Sequence, residues 1–171
     1  MKTFRHILFA CALALTALSA GGCGRYSFSG TSIQPDVKTI TINYFEYKAE
    51  KVNPALSNKI TEDLRTQFRK MTRLEQVDID GDLEIEGEIT GYDVSAAAVT
   101  ADEVAARNRL TITVKITFTN RKYPEDDLEQ SFSGSEEYDS TQSLDSVQDA
   151  LCSEIVKKLI EDIFNATVAQ W

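Results

Sequence analysis

The 171-residue chain holds a single histidine, three cysteines and three prolines. The histidine, His6, falls in an N-terminal stretch where Lys2 and Arg5 precede an apolar run from Ile7 to Leu18. That run is too short to span a bilayer, which takes about 20 apolar residues. A basic start, a short apolar stretch and small residues before a cleavage point describe a secretory signal peptide. The small residues Ala20, Gly21 and Gly22 lead into Cys23. Bacterial lipoprotein signals end this way, with the cysteine receiving the lipid and becoming the new N-terminus. Ordinary cleavage nearby would instead leave Cys23 as a free thiol.

On this reading His6 and Cys11 are discarded and the processed chain has no imidazole. That excludes Ser-His-Asp and Cys-His catalysis and any His-ligated metal site. With Cys23 lipidated, Cys152 stands alone and no intramolecular disulfide forms. Cys152 follows Leu151 on an apolar helical stripe, where a thiol is by default a small apolar side chain. There is also no glycine-rich phosphate loop and no close carboxylate pair outside strand faces and turns. No catalytic residue, metal ligand or cofactor is assigned, and the chain is not expected to be an enzyme.

Positive charge is scarce as well. The full chain has 18 basic residues against 27 acidic ones; losing Lys2 and Arg5 takes the net charge from −9 to −11. A general nucleic-acid binder has a basic footprint and is excluded. Any anionic ligand must be met by a local basic patch.

Three regions follow: a lipoprotein signal peptide (1–22), a lipidated polar tether (23–36) and one domain (37–171). Within the domain, Ile40, Ile42 and Tyr44 alternate with Thr39, Thr41 and Asn43, a first strand. Asn53-Pro54 predicts a helix start, and Leu56, Ile60, Leu64, Phe68 and Met71 recur as its buried stripe. Arg65, Arg69, Lys70 and Arg73 gather at its C-terminal end. They complement the helix dipole, or alternatively meet a lipid headgroup or a partner.

Leu74, Val77 and Ile79 suggest a short strand closed by Asp80-Gly81, a hairpin signal. Leu83, Ile85 and Ile89 then alternate with Glu84, Glu86 and Glu88, whose carboxylates read as the solvated face of a half-buried strand. Gly87 and Gly91 interrupt the apolar face and suggest a bulge or a close crossing. Residues 94–106 form a long irregular stretch. Leu110 to Phe118 alternate with Thr111, Thr113, Lys115, Thr117 and Thr119 as the longest strand. Residues 128–138 form a weaker strand, and a long helix follows from Ser143.

The expected order is β-α-β-β-β-β-α. Two helices cannot cover both faces of a sheet with so many polar alternate positions. They are expected together on one face of a mixed four- to five-stranded sheet, a two-layer α/β (α+β) sandwich. The Thr- and Glu-rich face is left to water or a partner. With a hairpin after the first crossover, the loop before Arg109 lies at the sheet end where the first strand starts. Arg121 and Lys122 lie at the other end, beside Glu125, Asp126 and Asp127, which should neutralise them.

Several motifs together resemble the LptE family of outer-membrane lipoproteins of lipopolysaccharide assembly. They are Cys23-Gly24-Arg25-Tyr26-Ser27-Phe28-Ser29-Gly30, Lys38-Thr39-Ile40-Thr41-Ile42, Val52-Asn53-Pro54-Ala55-Leu56-Ser57, Gly81-Asp82-Leu83, Asn108-Arg109-Leu110-Thr111-Ile112 and the closing Ile163-Phe164-Asn165 with Val168-Ala169-Gln170-Trp171. The resemblance implies two helices on one sheet and a non-enzymatic role: plugging the periplasmic side of the LptD β-barrel, assisting its assembly and binding lipopolysaccharide near its exit route. It also implies basic ligand contacts in the loop between the two central strands, where Arg107 and Arg109 stand. The segment before the last helix, residues 136–143, holds no Lys or Arg and departs from the family pattern. Thr111, Thr113, Lys115 and Thr117, with Glu86 and Glu88, are the expected barrel contact. The alternative function is a periplasmic activator or secretion accessory of the LpoB or CsgG kind.

Overall fold

The computed structural model describes residues 33–97 and 106–168. Eight elements follow in chain order: β1 (Thr39–Ile42), β2 (Glu46–Tyr47), α1 (Leu56–Met71), β3 (Glu75–Gln76), β4 (Leu83–Ala96), β5 (Arg107–Asn120), β6 (Leu128–Asp139) and α2 (Leu144–Val168). The strands make one mixed sheet of order β3-β1-β4-β5-β6, with β2 also paired to β4. The α+β class is as expected. The sixth strand is the two-residue β2, too short to leave an alternation in the sequence.

Alternation decides which face is buried. Leu83, Ile85 and Ile89 of β4 and Leu110, Ile112, Val114, Ile116 and Phe118 of β5 all point into the core. There they meet Ile60, Leu64 and Phe68 of α1 and Ile155, Leu159 and Ile163 of α2. Fully burying one such side chain contributes about 1.5–3 kcal/mol. The helices meet through Phe68 and Phe164, edge to face with ring centroids 5.1 Å apart. Both therefore lie on one face. Met71, expected to end the α1 stripe, is 54% exposed because the core stops at Phe68.

Asn53-Pro54 forms a turn ahead of α1, in which Asn53 Oδ1 accepts the Ala55 N–H (3.2 Å). The helix itself begins at Leu56. The bulge announced by Gly91 is present as a register shift between Ile89 and Gly91, which turns Tyr92 into the core in place of its neighbours. Gly87 makes room for Phe45: a Cβ there would lie 2.2 Å from that buried ring.

The hairpin expected at Asp80-Gly81 is absent. Both β3 and β4 run parallel to β1 and lie on either side of it. Residues 77–82 instead cross the outer face of β1 as a strap. Asp80 takes the left-handed conformation (φ 56°), a geometry that asparagine and aspartate tolerate in turns generally and not only in hairpins. Gly81 follows, and a Cβ there would sit 2.6 Å from the Thr41 nitrogen. The Gly81 and Asp82 N–H groups donate to Thr41 Oγ1 (3.0 Å) and Thr39 Oγ1 (2.8 Å). This explains why Thr41, on the outward parity, is only 2% exposed.

With no hairpin, the ends of the sheet are inverted relative to the expectation. β4 runs with β1 and β5 runs back. The start of β5, with Arg107 and Arg109, therefore lies at the end toward which β1 runs. Arg121 and Lys122 lie at the end where β1 starts. The irregular stretch is also shorter than expected, since Val94, Ser95 and Ala96 belong to β4 and Arg107 opens β5.

Candidate functional site: the outer face of the sheet

On β4, β5 and β6 the outward positions form a polar surface that no described element covers. Cross-strand register aligns Asp93, Thr111 and Ser135 in one row, and Gly91, Thr113 and Ser133 in the next. Glu88, Lys115 and Ser131 follow, then Glu86, Thr117 and Glu129. Small β-branched or hydroxylated side chains suit such a pleated surface. Thr113 and Ser133 share a hydroxyl hydrogen bond of 2.7 Å. Lys115 pairs with Glu129; that bond holds Glu129 below its ordinary carboxylate value and raises the lysine. All four expected contact residues thus share one face, with Thr117 the most open. Ser131, Ser133 and Ser135 complete it. Their period-two spacing was visible in the sequence, but the weak apolar side of this strand drew no attention to it.

Beside this row β2 meets β4 with Glu46 opposite Glu88. Like charges facing across a ladder repel. Lys48 answers both, at 3.1 Å from Glu46 and 2.5 Å from Glu88.

At the upper end of the face, Arg107 and Arg109 lie side by side as parity requires. Both reach one carboxylate: Arg109 Nη2 is 2.6 Å and Arg107 Nη1 3.7 Å from Glu137. The hydrogen bond from Arg109, then the charges of both guanidiniums, pulls Glu137 below the usual carboxylate range. Asp139, opposite Arg107 in register, is held by the Thr141 N–H and hydroxyl at 2.8 and 2.7 Å. The pair is therefore assembled but already answered by Glu137, a partner whose role depends on β5–β6 register.

At the lower end Arg121 reaches Asp80 (2.9 Å) and Glu84 (2.6 Å), and Lys122 reaches Asp82 (3.1 Å). Neutralisation is real, but the acids come from the strap and β4. Asp126 and Asp127, expected to do it, bind Asn120 and Gln34 instead. Asp82 also accepts the N–H groups of Lys38 (2.7 Å) and Thr39 (3.1 Å). The Lys38 bond above all holds Asp82 below its ordinary value.

Cys152 is buried, beside Asn53 Nδ2 at 3.6 Å and the Tyr92 hydroxyl at 4.0 Å. Burial pushes its thiol up and Tyr92 to about 12, so neither ionises near neutrality. Cys23 lies outside the described residues. No group of three or more potential metal ligands clusters among the described residues.

No curated protein matches the chain. Among solved structures it resembles the hypothetical protein CT253 from Chlamydia trachomatis, with a TM-score of 0.51 and 7% identity over 76% of this chain and 97% of that one. A minor lipoprotein from Acinetobacter baumannii aligns with a TM-score of 0.49 and 10% identity over 74% and 89%. At 7% identity the likeness to the first is one of fold. The sequence itself goes further: residues 37–167 match the model of the LptE family, described as Lipopolysaccharide-assembly, and the chain belongs to that family.

Proposed function

We propose that this chain is a lipid-anchored, non-enzymatic assembly factor that plugs an LptD-type β-barrel on the periplasmic side of the outer membrane and takes part in lipopolysaccharide transport there. The observation that carries the reading is the uncovered outer face of β4, β5 and β6. It is hydroxyl-rich and built from three long strands, an extent and polarity that fit the polar lumen of a membrane barrel. Residues 1–22 are the signal peptide, Cys23 carries the lipid, and the tether delivers the domain to the barrel. The last tether residues are already docked, Gln34 on Asp126 (2.8 Å) and Asp36 on the Tyr123 hydroxyl (2.9 Å).

Photo-crosslinkers at Thr113 and Thr117 are expected to capture the barrel, while crosslinkers at the exposed α2 positions Glu154 and Lys157 do not. Capture from the helix positions alone would reverse the orientation. Co-purification of a cell-wall synthase in place of a barrel would favour the activator reading. Cys23→Ser is expected to abolish lipid labelling and leave the fold intact, since no described element contains it.

Arg107 and Arg109 are the proposed lipopolysaccharide contact. Paired guanidiniums suit bidentate phosphate binding. Here a phosphate has to compete with Glu137 for both of them.

A further inference from the structure

Among the described residues, Arg107, Arg109 and Lys115 of β5 all have ion-pair partners, and cations without one lie elsewhere. A groove of about 580 Å³ runs between the chain's entry into the domain and the C-terminal end of α1. Its lining includes Lys38, Lys70 and Arg73 and no carboxylate. All three side chains are exposed, and none has an ion pair or side-chain hydrogen bond among the described residues. The acid just before Lys38, Asp36, accepts the Tyr123 hydroxyl (2.9 Å). Between the cations lie Met71, 54% exposed, and the apolar surfaces of Ile33 and Pro35. In a chain of net charge −9, three unanswered cations around apolar surface stand out from an otherwise acidic background.

Position supplies the second argument. Ile33 is itself part of the lining, and it stands only ten positions after Cys23. Fully extended, they reach roughly 35 Å. The far end of β5 lies another 45 Å or so away along the strand. The groove is therefore at the end of the domain that the anchor holds near the membrane.

We infer that this groove is a membrane-docking surface for anionic phospholipid headgroups, with Lys38, Lys70 and Arg73 meeting phosphates and Met71 entering the interface. Its placement rests on the proposed anchor at Cys23; its charge and lining do not. Basic groups at an anionic surface act additively, each strengthening binding about fivefold. With the lipid they make a second, orienting attachment, fixing which end of the domain faces the bilayer.

The test uses the processed chain, residues 23–171, carrying Cys23→Ser so that no lipid contributes. It is sedimented with vesicles of phosphatidylethanolamine and phosphatidylglycerol at 3:1, and separately with phosphatidylcholine vesicles. Binding is expected to the first only, and to weaken with salt. Lys38→Gln/Lys70→Gln/Arg73→Gln is expected to lower it roughly a hundredfold, at about fivefold per charge, whereas Arg107→Gln/Arg109→Gln leaves it unchanged. Should the triple variant melt early, Lys70→Gln and Arg73→Gln singly carry the comparison. Equal binding to both vesicles, parental binding by the variants, equal loss in the Arg107/Arg109 control, or release by a few millimolar inorganic phosphate would overturn the inference. Lipid labelling of Cys23 in the unsubstituted chain is scored separately, so the anchor and the groove can fail independently.

Discussion

One pair of basic residues opens β5 and another follows its end, and the two pairs have become different things. Arg121 and Lys122 are spread over Asp80, Asp82 and Glu84, from the strap and the start of β4. They hold the strap against the turn after β5, at the end where β1 is pinned by Asp82. Arg107 and Arg109 converge on a single carboxylate, Glu137, at the open end of the face. Similar charge becomes structural where several chain segments meet and is held by a single carboxylate where only one neighbouring strand supplies an acid. Counting local acids ranks the two ends correctly but for the wrong reason, since the neutralising groups at the lower end come from about 40 residues away.

The comparison breaks first if the lower end proves dispensable. Asp82→Ala removes the acceptor for two N–H groups at the start of β1 and for Lys122, and is expected to cost about 2 kcal/mol in urea unfolding. Arg107→Ala/Arg109→Ala is expected to stay within about 0.5 kcal/mol of the parent, as exposed ion pairs contribute little. Equal losses at both ends would sink the distinction.

Acid should act on the lower end too. Asp82 has a lowered value in the folded state, so its contribution is fully present above the ordinary value of 3.8 and is lost as pH falls through the lower folded value. Between neutral pH and a pH below that value, Asp82→Asn should then lose less stability than the parent does. An unchanged pH dependence would remove Asp82 from that role.

At the upper end, Glu137→Gln frees both guanidiniums. Lipopolysaccharide binding by the purified processed chain is expected to rise severalfold, to be salt-sensitive, and to vanish in Arg107→Ala/Arg109→Ala but persist in Arg121→Ala/Lys122→Ala. A fall in binding on Glu137→Gln would show that the carboxylate positions the arginines and does not compete for them. The smallest effect belongs to the face between: Thr113→Val loses the bond to Ser133 but keeps the β-branched shape, and its melting midpoint should hardly move.

Much of this arrangement was legible in the sequence because alternation is a strong signal. Leu110 to Phe118 fixed both the core face of β5 and the outer positions Thr111, Thr113, Lys115 and Thr117, and Arg107 with Arg109 shared a face by parity alone. Failure came where one local signal serves two geometries. Asp80-Gly81 marks a left-handed turn, and nothing within six residues says whether the next strand pairs with the last one or passes over β1. That single ambiguity inverted the ends of the sheet. The partners of Arg121 were hidden for the same reason, because they are brought by the strap. Exposure of Met71 was illegible because helical periodicity continues past the point where the core ends.

The strap also has a mechanical consequence. β1 lies between two parallel neighbours, β3 and β4, and the chain leading from the proposed anchor at Cys23 joins β1 at its start. A pull from the membrane therefore acts along the strand. The ladder bonds on both sides are loaded together in shear and do not peel one at a time. The strap, bonded across Thr39 and Thr41, clamps the strand from a third side. A domain anchored as proposed would thus be held by the strand best placed to bear the load, and tension on it would meet β1 before the face that β5 presents.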